Sequence, residues 1–331
     1  MNPAIIALIF GSVMVSAFAL YGSALGWRII RHWDLQKGSE EQLVLEKKTY
    51  LISTILGYLF GFQIFSLLLF VYTADHIHGL FVGAMCAAGS LNVNDFGYPT
   101  LVLKMVNVFC CGLWLVLNRT DHRGYDYPLI KAKYKFLMVI TASLLVETAL
   151  QNSYFAGLKA DVITSCCGRL FSEHSGGIAG DLAALPTGAM KILFFLAMVL
   201  VVRTGIHFFL TGRAAGTFST LAVAAMIISL LSVLSFIALY FYELPTHHCP
   251  FCLLQKEYSY LGYPLYLALY IGGIMGASVG VLDRLKGKES LKALIPALQK
   301  RLCLASMAGY LFFVVIAVYP MVFSDFVLRD W

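Results

Sequence analysis

Eight long apolar runs constrain the fold of this chain more than any other feature. They cover residues 4–26, 50–73, 99–118, 135–157, 189–211, 217–243, 251–282 and 303–323. An apolar run of about 20 residues crosses the hydrocarbon core of a bilayer as one helix. The 331 residues are 60% hydrophobic and 13% charged, which is typical of an integral membrane protein. The sequence therefore predicts an all-α, polytopic membrane protein with eight transmembrane helices.

The basic residues between these runs predict the orientation of the helices. Lys and Arg concentrate in the odd-numbered connections, whereas residues 74–98 and 244–248 contain neither. Because basic connections stay on the cytoplasmic side, the even-numbered connections and both termini are predicted to lie outside. We expect the setting to be the bacterial inner membrane. The net charge of +6 comes from these short connections, so we expect no binding to nucleic acid.

The cysteines are distributed unevenly across this predicted topology. Of eight cysteines, five fall in the outer connections or at their membrane edge: Cys86, Cys166, Cys167, Cys249 and Cys252. Disulfides persist in oxidising outer compartments, so this distribution favours thiol chemistry on the outer side. The remaining three fall within predicted helices, where cysteine packs as a small apolar residue.

The most specific motif is the C-x-x-C sequence Cys249-Pro250-Phe251-Cys252, which opens the seventh apolar run. Thiols at this spacing close and reopen a small disulfide ring, and a helix N-terminus would stabilise the Cys252 thiolate. An imidazolium at His247 or His248 would also lower the pKa of Cys249. The same spacing also occurs as half of a zinc site or in an inert disulfide. Because the sequence has no second C-x-x-C, a redox pair is favoured.

Residues 135–283 resemble a known family in the order of their helices and cysteines. In vitamin K epoxide reductase and its bacterial homologues, an outer cysteine loop and a C-x-x-C pair belong to one four-helix core. Residues 164–172 resemble the loop segment, and residues 249–252 match the pair. The following residues, with Lys256 in place of an Arg and then Tyr263-Pro264, are similar to disulfide bond formation protein B. The resemblance implies a four-helix-bundle oxidoreductase core.

This resemblance divides the chain into three parts. Residues 1–134 would form three N-terminal transmembrane helices with an outer loop containing Cys86. Residues 135–283 would form the thiol-redox core, and residues 284–331 an inner amphipathic segment and the last helix.

The resemblance also implies a reaction, in which electrons pass between an outer-face thiol protein, such as a thioredoxin-like protein, and a membrane quinone. The quinone would be ubiquinone or menaquinone. Cys252 would react with the quinone, and Cys249 would exchange with Cys166 or Cys167. Three further residues are candidate quinone contacts: Lys256, Tyr263 and Glu147. Alternatively, Lys256 extends to the membrane interface and Glu147 pairs with another helix.

Because Cys166 and Cys167 are adjacent and a disulfide between them would be strained, we expect one of them to pair with Cys86 in a structural or relay disulfide.

Two other functions compete with this interpretation. The first rival is a metal-binding or transport protein that uses outer cysteines together with histidines: His76, His78, His247 and His248. The second is a non-catalytic membrane subunit of a respiratory complex.

Overall fold

The structure is a computed structural model, which describes residues 2–34, 39–159, 162–164, 185–326 and 328. Its long helices are α1 (Pro3–His32), α2 (Glu40–His76), α3 (Gly97–Asp121), α4 (Ile130–Ala156), α5 (Thr187–Thr211), α6 (Ala215–Tyr242), α7 (Gly262–Asp283) and α8 (Leu294–Phe323). All eight are long and apolar enough to cross a bilayer. The prediction of an all-α, polytopic integral membrane protein is confirmed, and no β-strand occurs among the described residues.

The start of α7 differs from the prediction. Two short 3-10 turns, Cys252–Leu254 and Lys256–Tyr258, precede the helix, which begins only at Gly262. Ser259 and Tyr260 lie between these turns and the helix and have φ angles of 52° and 57°. An α-helix cannot continue through this left-handed conformation. Cys252 therefore lies ahead of α7 and not in its first turn. The prediction that the dipole of this helix stabilises the Cys252 thiolate is wrong.

Contacts divide the chain into two compact units. The first contains Met1–Thr73, Asn94–Leu158 and Arg284–Ile295, and the second contains Ala74–Val93, Lys159–Asp283 and Pro296–Trp331. In the first unit, α4 packs against α1 and α3. In the second unit, α6 packs against both α5 and α7. This grouping differs from the predicted three-part division, in which α4 accompanied α5, α6 and α7, because the contacts of α4 are with the N-terminal helices.

Glycines on α7 allow the helices of the second unit to approach closely. A Cβ atom added at Gly276 would lie 2.4 Å from the Cβ of Ala222 on α6, and one added at Gly280 would lie 2.5 Å from the Cβ of Ser219. Small residues spaced four apart are a common device for packing transmembrane helices, because they expose the backbone to its neighbour. This contact fixes α7 against α6 and so positions the residues that connect them.

Candidate functional site: a cluster of three cysteines

Three cysteine sulfurs meet in the second unit. The Sγ atoms of Cys86, Cys249 and Cys252 all lie within 4.8 Å of one another. The Sγ atoms of Cys86 and Cys249 are 3.7 Å apart, although 163 positions separate these residues in the sequence. Cys86 and Cys249 are fully buried, and Cys252 is 8% exposed. We call these three residues the cysteine cluster.

The segment that carries Cys86 is held by an acidic residue at the end of α2. The Asp75 Oδ1 atom accepts a hydrogen bond from the Ala87 backbone N–H at 3.1 Å and another from the Gln255 Nε2 at 2.9 Å. The same Gln255 nitrogen lies 3.2 Å from the Met85 carbonyl oxygen, which accepts from it. Gln255 and Asp75 therefore tie the residues on both sides of Cys86 to the chain just after Cys252.

Hydrogen bonds to two tyrosines hold the backbone of the C-x-x-C motif. The Tyr242 hydroxyl, at the end of α6, donates to the Cys249 carbonyl oxygen at 2.6 Å. The Tyr266 hydroxyl, from the first turns of α7, donates to the Pro250 carbonyl oxygen at 2.8 Å. Since these carbonyls lie outside regular secondary structure, the two hydroxyls give them the partners that buried polar groups require. The motif is thereby fixed between the ends of two helices.

The two histidines before the motif have different roles. The His248 Nδ1 lies 2.8 Å from the Leu234 carbonyl oxygen, in the π-helical turn Val233–Ile237 of α6. A π turn leaves backbone groups without their usual helical partners, and His248 bonds one of them. The His247 Nε2 instead lies 3.4 Å from the Cys252 Sγ. His247 is thus the histidine at the cysteine cluster.

The surroundings of His247 do not favour the imidazolium predicted beside Cys249. Burial lowers the pKa of His247 below its ordinary value, an effect that the nearby Cys86 opposes and the adjacent His248 reinforces. The ring nitrogen contacts the Cys252 sulfur. A neutral imidazole nitrogen at this distance can accept the thiol proton or share a metal ion with the sulfur.

No protein-family model, curated protein or solved structure matches the chain.

The cluster combines the atoms needed for disulfide exchange with those needed for metal binding. The distance of 3.7 Å between two sulfurs is longer than a covalent S–S bond of about 2.05 Å. The Cys86 and Cys249 sulfurs are therefore neighbours without a covalent bond between them.

The outer histidines proposed as metal ligands separate in the structure. His76 is exposed at the end of α2, and the ring of His78 contacts the Asp75 carbonyl oxygen. His248 binds the π turn as described above. The ring nitrogen of His247 lies 3.4 Å from the Cys252 sulfur.

The predicted quinone contacts lie in different surroundings. Lys256 is exposed in its 3-10 turn, and Tyr263 is half-buried with its ring 6.3 Å from that of Tyr260. Glu147 lies in the first unit, where its carboxylate accepts from Lys104 Nζ at 2.7 Å and from Asn107 Nδ2 at 2.6 Å. Glu147, on α4, therefore pairs with residues of α3, which is the alternative to quinone contact given in the sequence analysis. Quinone contact by these three residues stays a prediction.

Cys166 and Cys167 lie outside the described residues, so their predicted exchange with Cys249 and pairing with Cys86 stay predictions. The described chain before them does approach the Cys86 segment. The Thr164 N–H donates to the Val82 carbonyl oxygen at 2.9 Å, and the Thr164 hydroxyl donates to the Gly89 carbonyl oxygen at 3.0 Å. A parallel β-bridge between Val82 and Ile163 accompanies these bonds.

Several site residues were not identified from the sequence. Asp75, Gln255 and Tyr242 have no motif that marks them, because their roles depend on contacts between distant segments. One signal was present for Gln255, since it follows the C-x-x-C motif by three residues and is the first uncharged polar side chain after it.

Proposed function

We propose that this chain is a membrane thiol–disulfide oxidoreductase, in which Cys249 and Cys252 exchange electrons between protein thiols and a membrane quinone. The convergence of three buried cysteine sulfurs within 4.8 Å is the observation that carries this proposal. Cysteines that only fill space in a core do not need to lie next to one another. A three-sulfur cluster assembled from distant segments instead suits a function that uses sulfur chemistry.

The reaction is balanced by two electrons and two protons. When the Cys249 and Cys252 thiols form a disulfide, each sulfur loses a proton and the pair releases two electrons. A quinone takes up both electrons and both protons and becomes a quinol. In the opposite direction, a quinol would reduce the disulfide to two thiols and return to the quinone.

Exchange with Cys86 gives the pair a path to a second thiol. Thiol–disulfide exchange requires a thiolate to attack a disulfide sulfur that it can reach in line. The Cys86 Sγ, 3.7 Å from the Cys249 Sγ, satisfies the requirement of reach. In this scheme, Cys86 attacks the Cys249–Cys252 disulfide at Cys249, forms a Cys86–Cys249 disulfide and releases Cys252 as the thiolate. An outer-face dithiol protein would then reduce the Cys86–Cys249 disulfide to two thiols and become a disulfide itself, by way of the loop that contains Cys166 and Cys167.

Two features support a lipid-soluble electron partner. The cysteine cluster is buried in a unit that contains membrane-spanning helices, and the first turns of α7 bring Tyr266 into contact with the motif. Ubiquinone or menaquinone would suit such a location. The resemblance to vitamin K epoxide reductase and to disulfide bond formation protein B implies the same partner, with the cluster at the outer face of a bacterial inner membrane.

The test is quinone reduction by the purified protein in detergent, with a reduced thioredoxin-like protein as the electron donor. Cys249→Ala and Cys252→Ala are expected to lower quinol formation to the rate without protein. The matched control is Cys110→Ala, because Cys110 is a half-buried cysteine of α3 outside the cluster. If the Cys249→Ala protein reduces quinone as fast as the control, the chain is not this enzyme.

A further inference from the structure

The cysteine cluster presents three potential metal-ligand atoms at one point. They are the sulfurs of Cys86, Cys249 and Cys252, which lie within 4.8 Å of one another. Two separate chain segments supply them, and both segments belong to the second unit. A four-coordinate Zn²⁺ ion with three protein ligands completes its shell with a water or another small ligand.

The distance between two of the sulfurs agrees with tetrahedral coordination. Zn–S bonds of about 2.3 Å at tetrahedral angles would place two sulfurs roughly 3.8 Å apart. The Cys86 and Cys249 sulfurs are 3.7 Å apart, and the Cys252 sulfur lies within 4.8 Å of both.

Burial gives the reduced cluster a reason to take a cation. If all three thiols ionised, three negative charges would lie within 4.8 Å of one another, two of them on sulfurs that are fully buried. Such charges are costly to bury unless they are paired or coordinate a metal. A divalent ion would reduce the formal charge from −3 to −1. Thiolate ligands select thiophilic ions over Mg²⁺ or Ca²⁺.

The supports around the cluster would hold such ligands in place. Gln255 and Asp75 fix the backbone on both sides of Cys86, and Tyr242 holds the carbonyl of Cys249. Outer-shell hydrogen bonds of this kind orient metal ligands and raise metal affinity.

We propose that the reduced cluster binds one thiophilic divalent ion, with Zn²⁺ as the physiological example, through Cys86, Cys249 and Cys252. This goes beyond the proposed function and uses the reduced form of the same site. Formation of the Cys249–Cys252 disulfide removes two ligands and passes two electrons to the quinone, so the ion leaves. Metal binding and oxidation therefore exclude each other.

The test is a titration of the reduced, metal-free protein in detergent with Co²⁺, followed by displacement with Zn²⁺. We expect one Co²⁺ per chain, with the visible bands of tetrahedral cobalt and a near-ultraviolet thiolate-to-cobalt band that disappears when Zn²⁺ is added. Cys86→Ser is expected to weaken binding at least tenfold. The control His76→Ala, an exposed histidine outside the cluster, is expected to bind as the parent protein does.

Two outcomes would overturn the metal site. One is the absence of a thiolate-to-cobalt band in the reduced parent protein. The other is an unchanged band and affinity in Cys86→Ser, which would show that the ion binds elsewhere. The titration contains no quinone, so its result is separate from the proposed function. If the protein binds Co²⁺ at the cluster but never reduces quinone, the metal-site proposal stands and the oxidoreductase proposal fails.

Discussion

At the scale of single residues, the sequence identified the C-x-x-C motif but not the distant residues that contact it. The C-x-x-C motif marked Cys249 and Cys252 because its two members are close in the chain. The neighbour of Cys249 is Cys86, and no local pattern reports a contact across 163 positions. The role of Gln255 was missed for the same reason, since four helices of the sequence, α3 to α6, separate it from its partners Asp75 and Met85.

Gln255 is predicted to control how readily Cys86 reaches Cys249. Gln255→Ala removes two hydrogen bonds, each worth about 1 kcal/mol, so we expect oxidant-driven formation of the Cys86–Cys249 disulfide to slow on the order of tenfold. Peptide mapping after timed oxidation of a Cys252→Ala background measures this rate. The control is Lys256→Ala at the neighbouring exposed position, which should not change the rate. Equal rates in the two variants would show that Gln255 does not position Cys86.

The buried ion pair of the first unit leads to a stability prediction. Lys104 and Glu147 are 0% and 1% exposed and their charged atoms are 2.7 Å apart, with Gln63 also bonded to the carboxylate. Glu147→Gln leaves the Lys104 charge buried without its counter-ion, a change that costs about 3–5 kcal/mol of unfolding free energy. The double variant Lys104→Met, Glu147→Gln removes both charges and is expected to be the more stable of the two.

Denaturant unfolding in detergent measures both variants of this pair. The matched control is Glu289→Gln, which breaks an exposed ion pair with Lys292 and should change stability little, because water screens such pairs. If the double variant is less stable than Glu147→Gln alone, the uncompensated charge is not the source of the loss.

At the scale of secondary-structure elements, hydrophobic runs predicted all eight helices, because lipid requires each spanning segment to satisfy its own backbone. The ends were harder to predict. The run from 251 stays apolar through Phe251, Leu253 and Leu254, yet α7 begins at Gly262. The interruption depends on left-handed conformations at Ser259 and Tyr260, which neither Gly nor Pro marks in the sequence.

The contact between α6 and α7 is predicted to be intolerant of added volume. Gly276→Ala would place a methyl group 2.4 Å from the Cβ of Ala222, so we expect a loss of about 1–3 kcal/mol. The control is Gly216→Ala on α6, where no atom lies within 4 Å of the added Cβ. Thermal unfolding of both variants in the same detergent measures the difference. Similar melting temperatures would contradict the close approach of α7 to α6.

At the scale of the whole molecule, the sequence predicted an integral membrane protein from composition alone, but not which helices associate. Grouping depends on long-range packing, and α4 has its contacts with α1 and α3. Charge, in contrast, predicts topology without any knowledge of packing, because Lys and Arg act during insertion.

That topology is testable with two engineered cysteines at exposed positions. Asn92→Cys lies in an even-numbered connection and Lys288→Cys in an odd-numbered one. In intact cells, a membrane-impermeant maleimide is expected to label Asn92→Cys, whereas Lys288→Cys should react only after the membrane is permeabilised. The parent protein provides the background from native cysteines. Labelling of Lys288→Cys in intact cells would reverse the predicted orientation.

The central claim is that a quinone oxidises the sulfurs of Cys249 and Cys252, and mass spectrometry after thiol trapping tests it most directly. The reduced protein is mixed with quinone under anaerobic conditions, quenched with an alkylating reagent and digested without reductant. The account predicts that both cysteines lose their label together, while Cys110 keeps its label, and that a disulfide-linked peptide appears. Full labelling of Cys249 and Cys252 before and after quinone addition would contradict it.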